Sequence, residues 1–378
     1  MKIGIITIHK SNVNYGASLQ CYALWKYITD LGHHAEVIDL RRPVLRGYHF
    51  DCNLEGLKKK YQFRVKPFIR QLGHFLHGLS HINRLRRFHT FNNTISYSQI
   101  YHNYTELQKK PPLYDIYLSG SDQIWNPHMP FDNKPYLLSF VHENKTKVSY
   151  ASSFGVDNLP NEVKKEYSDL LSQYKYLSTR ELSGKRIIDE LLSKNIPTVL
   201  DPIFLLAKNE WFLECDQNYH RNENFILVYS LHLNQELINL AILISKQTNL
   251  KIYVILSCDT YYKNKDVVFL YDAGPRQWLN LIRNAKIFLT DSFHGTAFAN
   301  LFKTPYLSYI NNLSKNNNRI LTLLELLHQG SHIVSYPSYT YQNINKLIDK
   351  AYQFLPKNEE YFQREREKSI LYLKTILQ

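Results

Sequence analysis

Residues 290–309 read TDSFHGTAFANLFKTPYLSY. The apolar run Ile287-Phe288-Leu289 stops at Asp291-Ser292. His294, Gly295 and Thr296 follow, then a helical apolar pattern of Ala297, Phe298, Leu301 and Phe302, then Thr304-Pro305. This order predicts a strand, a polar loop, a helix and the next strand. It puts a titratable histidine, two hydroxyls (Ser292, Thr296) and a glycine where a strand end meets a helix N-terminus. In open α/β sheets, anionic ligands bind at such a place. A plainer reading is a helix capped by Ser292 or Thr296 beside an incidental histidine.

The same alternation extends in both directions. Towards the N-terminus, residues 3–8 read as a strand, 17–31 as a helix and 35–40 as a second strand. This is a Rossmann-like opening, yet it lacks both GxGxxG and GxxxxGK[ST]. Strands are expected at 114–118, 147–151 and 176–179, with helices at 161–173 and 184–192. A second alternation starts with strands at 225–230 and 251–256 and helices at 234–248 and 275–284. A helix at 319–328 and a helical tail complete it. We therefore expect an α/β protein of two Rossmann-like domains facing across a cleft, with a C-terminal helical tail. The expected bounds are 1–206, 207–345 and 346–378. A chain of 378 residues is long enough for two separate cores.

The net charge of +13 favours anionic partners. No nucleic-acid-binding motif is present, so nucleic acid is not expected. Between Gly56 and Thr105 there is no Asp or Glu. Lys58, Lys59, Lys60, Arg64, Lys66, Arg70, Arg84, Arg86 and Arg87 alternate there with apolar residues. This reads as an insertion of basic amphipathic helices that meets an anionic membrane face or a lipid-linked phosphate. A solvated basic face is the plainer alternative. Charge reversal at Lys58, Lys59 and Lys60 tests the membrane reading, because it should weaken binding to anionic vesicles.

The opening MKIGIITIHK reads as a strand rather than a secretory signal, and no apolar run reaches the roughly 20 residues of a membrane span. The expected location is cytoplasmic. The four cysteines lie far apart without a CxxC pair, so neither a zinc site nor a disulfide framework is expected. His74, His77 and His81 share a helical spacing but have no acidic or cysteine neighbour in sequence, so no metal site is expected.

Four polar loops follow expected strands: Asn12–Ser18, Ser119–Asn126, Ser152–Gly155 and Asp291–Thr296. Glycine lets backbone N–H groups approach a phosphate, and hydroxyls add donors. Asp122 suits a general base, a hydrogen bond to an acceptor hydroxyl, or a helix cap. Trp125 suits a sugar platform or the core. Arg180 suits an anion clamp or an ion pair with Glu181 or another acid.

Together, NYGASLQCYAL (14–24), GSDQIWNP (120–127), SYASSFG (149–155), STRELSG (178–184), LDPIFLL (200–206) and the 290–309 stretch resemble the polysaccharide pyruvyl transferase family. The resemblance implies a pair of domains similar to the GT-B glycosyltransferases. It implies phosphoenolpyruvate as donor substrate, no cofactor, and a sugar with two suitable hydroxyls as acceptor, on a lipid, a nucleotide or a polymer. The product would be a pyruvate ketal. His294 takes the family's catalytic role, with Asp122 beside it. Arg180, Ser153, Ser292, Gly295, Thr296 and Arg319 fall to the donor. Asn14, Tyr15, Gly16, Gly120, Ser121, Gln123, Trp125 and Asn126 fall to the acceptor.

One departure stands out. Several members of the family carry Arg-Leu-His where this chain has Ser292-Phe293-His294, and there the arginine contacts the donor anion. Either Arg180, Arg276, Arg283 or Arg319 compensates, or the donor differs. Two alternatives follow: a glycosyltransferase using a nucleotide sugar in the same cleft, and a non-catalytic part of an envelope-glycan complex.

Overall fold

The computed structural model describes residues 1–10, 14–41, 68–257, 261–310, 317–335, 339 and 341–378. Strands β1 (Lys2–Ile6), β2 (His34–Leu40), β3 (Tyr97–Tyr101), β4 (Ile116–Ser119) and β5 (Thr146–Ser149) form a five-stranded sheet in the order β3-β2-β1-β4-β5. Strands β6 (Phe225–Ser230), β7 (Lys251–Leu256), β8 (Val268–Phe269), β9 (Ile287–Thr290), β10 (Tyr306–Tyr309) and β11 (Ile333–Val334) form a six-stranded sheet in the order β11-β10-β9-β6-β7-β8. All strand pairings are parallel. The central strands are near-continuous apolar runs because helices cover both faces of each sheet. β6 (FILVYS) is buried along its whole length.

The helices are α1 (Tyr15–Asp30), α2 (Phe68–Asn92), α3 (Tyr104–Lys109), α4 (Asn161–Leu171) and α5 (Leu182–Leu192), then α6 (Lys208–Glu214), α7 (Gln235–Thr248), α8 (Pro275–Asn284) and α9 (Phe293–Phe302). α10 (Asn318–Leu326), α11 (Ile344–Ala351) and α12 (Pro356–Ile376) complete the set. Strand order reverses between β1 and β4 in the first sheet and between β6 and β9 in the second. The loops leaving these four strands therefore flank the crevices where such folds bind ligands.

The tail is more than an appendage. Pro356 occupies the first turn of α12, where its missing N–H costs nothing. That helix returns to the first domain. Ser369 Oγ accepts from the Leu200 N–H at 2.9 Å, Tyr372 Oη donates to the Ser149 carbonyl at 3.0 Å, and Arg366 Nε donates to the Phe204 carbonyl at 2.7 Å.

The basic insertion needs correcting in two places. Residues 97–101 form β3, an edge strand, so the helical part ends at Asn92. Within α2, His81, Arg84, Phe88 and Phe91 are buried in the protein. The Phe88 ring lies 4.9 Å from Tyr15, which in turn stacks on Trp278 of the second domain at 5.2 Å. Arg87 Nη1 donates to Asp272 Oδ2 at 2.7 Å. This face of the insertion is an interdomain wedge and is not open to lipid. Lys58, Lys59, Lys60, Arg64 and Lys66 lie outside the described residues. Among the described residues, no helix is long and apolar enough to cross a membrane.

Candidate functional site

His294 stands on the first turn of α9, just past the C-terminal end of β9. Ser292 caps the helix, with its Oγ accepting from the Gly295 N–H at 3.3 Å. The plain capping reading thus holds for Ser292, and the cap is what aims the next turn. The imidazole reaches across the domain boundary. Its Nε2 lies 3.5 Å from Asp201 Oδ2, an ion-pair distance too long for a good hydrogen bond. On the other side the ring rests on Gly16 at the start of α1, so close that any side chain there would overlap it.

Asp201 is the hub of the cluster, and the sequence reading did not single it out. Its side chain is fully buried. Oδ2 accepts from Arg180 Nη1 at 2.6 Å and from Ser121 Oγ at 2.9 Å. Arg180 Nη2 lies 3.6 Å from Asp122 Oδ1. Arg180 is therefore no surface ion pair with Glu181, since its side chain is 2% exposed and its partners are Asp201 and Asp122. Its Nε and Nη2 are buried without a hydrogen-bond partner. Unpaired guanidinium donors in a dry site are costly unless an acceptor arrives.

Arg319 comes from α10 of the second domain, with its side chain 14% exposed. It reaches Asp122 Oδ1 at 3.9 Å and the side-chain amide of Gln123 at 2.6 Å. A guanidinium requires the amide oxygen there. The Phe293 ring sits between the two cations, 4.3 Å from the Arg180 guanidinium and 5.9 Å from that of Arg319. An aromatic face attracts both and keeps them side by side.

Electrostatics follow from this crowding. Burial alone would raise the Asp122 carboxyl, but the charges of Arg180, His294 and Arg319 prevail and lower it. Asp201 is held well below the usual carboxylate range: burial opposes this, and His294 and Arg180 outweigh it. Burial and the charge of Arg180 push the Arg319 guanidinium down to about 10, only partly relieved by nearby acids. The two carboxylates thus stay ionised as counter-ions. Asp122 Oδ1 also accepts from the Gln123 N–H at 2.9 Å, so this carboxylate serves its own loop and both guanidiniums.

A profile of the family described as polysaccharide pyruvyl transferase matches residues 14–314. The chain belongs to this family. No curated protein sequence matches it. Among solved structures, UDP-GlcNAc 2-epimerase from Neisseria meningitidis, bound to UDP-GlcNAc, is similar with a TM-score of 0.52 at 11% identity, covering 100% of each chain. UDP-GlcNAc 2-epimerase from Methanocaldococcus jannaschii gives 0.52 at 14% identity, covering 99% of this chain and 100% of the other. The Rickettsia bellii UDP-N-acetylglucosamine 2-epimerase gives 0.51 at 12%, covering 100% and 96%. At these identities the likeness speaks for the fold, which is of the GT-B type.

Where the family motif departs, the geometry separates the four arginines. Arg180 and Arg319 are in the cluster. Arg276 is taken by Glu214, with Nη2 2.8 Å from Oε2. Arg283 lies over the Phe212 ring at 4.0 Å, beside Cys215.

Several residues expected at the ligand serve the frame instead. Trp125 is fully buried, donating from Nε1 to the Tyr136 carbonyl at 3.1 Å and packing on Phe154, so no ring face is open to a sugar. Tyr15 is buried in the interdomain cluster and donates to the Ala273 carbonyl at 2.7 Å. Thr296 shares a 2.7 Å hydrogen bond with Ser308, inside the second domain. Gly295 packs against Thr290, and Gly120 against Thr7 and Leu24. Ser153 donates to Glu181 Oε1 at 2.9 Å, and that carboxylate also accepts from the N–H groups of Phe154 and Gly155. Asn126 Oδ1 accepts from the His128 N–H at 2.9 Å, tying its own loop. Asn14 caps α1, its Oδ1 accepting from the Ala17 N–H at 3.1 Å. His294, Gly16, Ser121, Asp122, Gln123, Arg180 and Arg319 are the predicted residues brought together, and Asp201 and Phe293 join them. Among the described residues, no group of three or more His, Cys, Asp or Glu side chains is arranged to hold a metal.

Proposed function

We propose that this enzyme transfers the pyruvyl group of phosphoenolpyruvate to two hydroxyls of a sugar in a surface polysaccharide or its precursor, forming a pyruvate ketal. The observation that carries this reading is the buried guanidinium of Arg180 and the half-buried one of Arg319, both held on Phe293 beside His294. Two crowded cations, one of them Arg180 with unpaired Nε and Nη2 donors, suit a small ligand bearing both a carboxylate and a phosphate. In this reading they do the work of the arginine that Ser292 replaces.

The chemistry needs one proton delivered to the methylene carbon of the donor. That step leaves oxocarbenium character at the phosphate-bearing carbon. A sugar hydroxyl attacks there, phosphate departs, and a second hydroxyl closes the ring. One hydroxyl proton replaces the proton given to carbon, and the other leaves with phosphate. His294 suits both transfers, since histidine is the side chain that ordinarily exchanges protons near neutrality. Asp201 would orient the imidazole and stabilise its charged form. Asp122 would hold the two arginines in place. The enzyme would act in the cytoplasm.

Calorimetry with phosphoenolpyruvate on wild type, Arg180→Ala and Arg319→Ala tests the donor assignment. Saturable binding that both variants lose is the expected result. Wild type that binds a nucleotide sugar and ignores phosphoenolpyruvate would turn the site over to glycosyl transfer.

A further inference from the structure

Next in sequence to the two arginines, between α5 and α10, lies a cavity of ≈ 750 Å³ that the donor reading does not use. One wall is the first domain: Asp157, and Leu182, Lys185, Arg186 and Asp189 of α5. The other is α10 of the second domain, with Asn318 and Glu325. A hydrogen bond from Asn318 to Asp157 joins the two walls. Leu182 follows Arg180 by two positions and Asn318 directly precedes Arg319, so the groove adjoins the proposed donor site. None of His294, Asp201, Arg180, Arg319 or Asp122 lines it. A two-substrate transfer needs such separate, adjoining room.

We propose that this groove between α5 and α10 binds the saccharide chain of the acceptor, which rests on the ketal-transfer reading above. Its volume falls in the ordinary range of ligand pockets, about 300–1,000 Å³, and exceeds the need of a three-carbon donor. Its walls offer carboxylate and amide groups, which accept and donate to hydroxyls, around the half-open apolar side chain of Leu182. Two cations, Lys185 and Arg186, face three carboxylates, Asp157, Asp189 and Glu325. That balance carries no surplus positive charge for a diphosphate. The groove therefore reads the sugars and is indifferent to a carrier.

The test uses the full chain and the depyruvylated repeat-unit oligosaccharide of the producing organism's surface polysaccharide, free and on its lipid diphosphate. Asp189 and Glu325 are exposed, so Asp189→Trp with Glu325→Trp fills the groove without touching the core. Calorimetry should show the free oligosaccharide binding wild type, and a Kd raised at least about tenfold in the double variant with the phosphoenolpyruvate Kd and the melting temperature unchanged. The two oligosaccharide forms should bind alike. Unaltered oligosaccharide binding in the double variant, no oligosaccharide binding to wild type, or binding that requires the diphosphate would overturn the proposal. Groove-dependent oligosaccharide binding in a protein that ignores phosphoenolpyruvate would instead remove the donor assignment and leave the groove standing.

Discussion

The imidazole of His294 lies on the bare α-carbon of Gly16, and the two residues belong to different domains. α9 and α1 meet at this point, and the ring is held between Gly16 and Asp201. Even a methyl group at position 16 must push the ring or part the domains. Gly16→Ala should therefore cut turnover by about 100-fold, the scale of a 1 Å displacement of a reacting group. Phosphate release from phosphoenolpyruvate with acceptor present measures it, beside a far-ultraviolet spectrum that stays native. Full turnover would mean that His294 works from another position.

Asp201 links catalysis to stability. A carboxyl depressed on folding contributes stability above its ordinary value of ~3.9 and loses that contribution as pH falls through its folded value. Asp201→Asn leaves Arg180 with a poorer partner in a dry site. The expected cost at neutral pH is ~3–5 kcal/mol, typical of breaking a buried ion pair. The gap to wild type should narrow once pH drops below ~4. Urea titrations at neutral pH and in acid decide this, and a gap that stays constant would count against an ionised Asp201 in the fold.

The doubly wound frame was legible because β6, β7 and β9 are unbroken apolar runs punctuated by polar loops. His294, Asp122 and Arg180 were legible because each follows a strand or bridge end. Asp201 was not, because its role rests on pairing with Arg180 within its own domain and with His294 across the domain boundary. Phe293 looked like any apolar helix residue, and its contact with two guanidiniums exists only in three dimensions. For Trp125 the sequence left a sugar platform and the core both open, because residue type cannot tell an open ring from a buried one, and the structure bears out the core. The amphipathic pattern of α2 was visible, but periodicity does not say whether lipid or protein covers the apolar face. β3 (YSQIY) was hidden by the basic run before it and by its half-polar edge character.

Arg319 should trade stability for function. Its guanidinium is lowered to about 10, below its ordinary value, by burial and by Arg180. A base lowered on folding costs stability while it is charged, and here that covers all pH below ~10. Arg319→Met should therefore unfold at a temperature no lower than wild type, because Asp122 keeps Arg180 as its counter-ion. Phosphoenolpyruvate should raise the melting temperature of wild type and leave that of the variant unmoved. A variant that is both less stable and still shifted by the ligand would assign Arg319 to the frame.

Phe88 tests the interdomain wedge. Its ring packs on Tyr15, Tyr15 stacks on Trp278, and Tyr229 completes the cluster edge-on at 5.5 Å from Tyr15. Residues of both domains share this core, so the domains should melt together. Phe88→Ala opens a cavity at their junction and should cost ~3–5 kcal/mol. Because the cavity sits between the domains, the loss should fall on their coupling. Scanning calorimetry should give one transition for wild type and two for the variant, the donor site failing with the first. A single transition merely displaced to lower temperature would show that α12 and the linker near Phe204 suffice to hold the halves together, and that α2 adds stability without setting the alignment of Arg319 and His294 on Arg180 and Asp201.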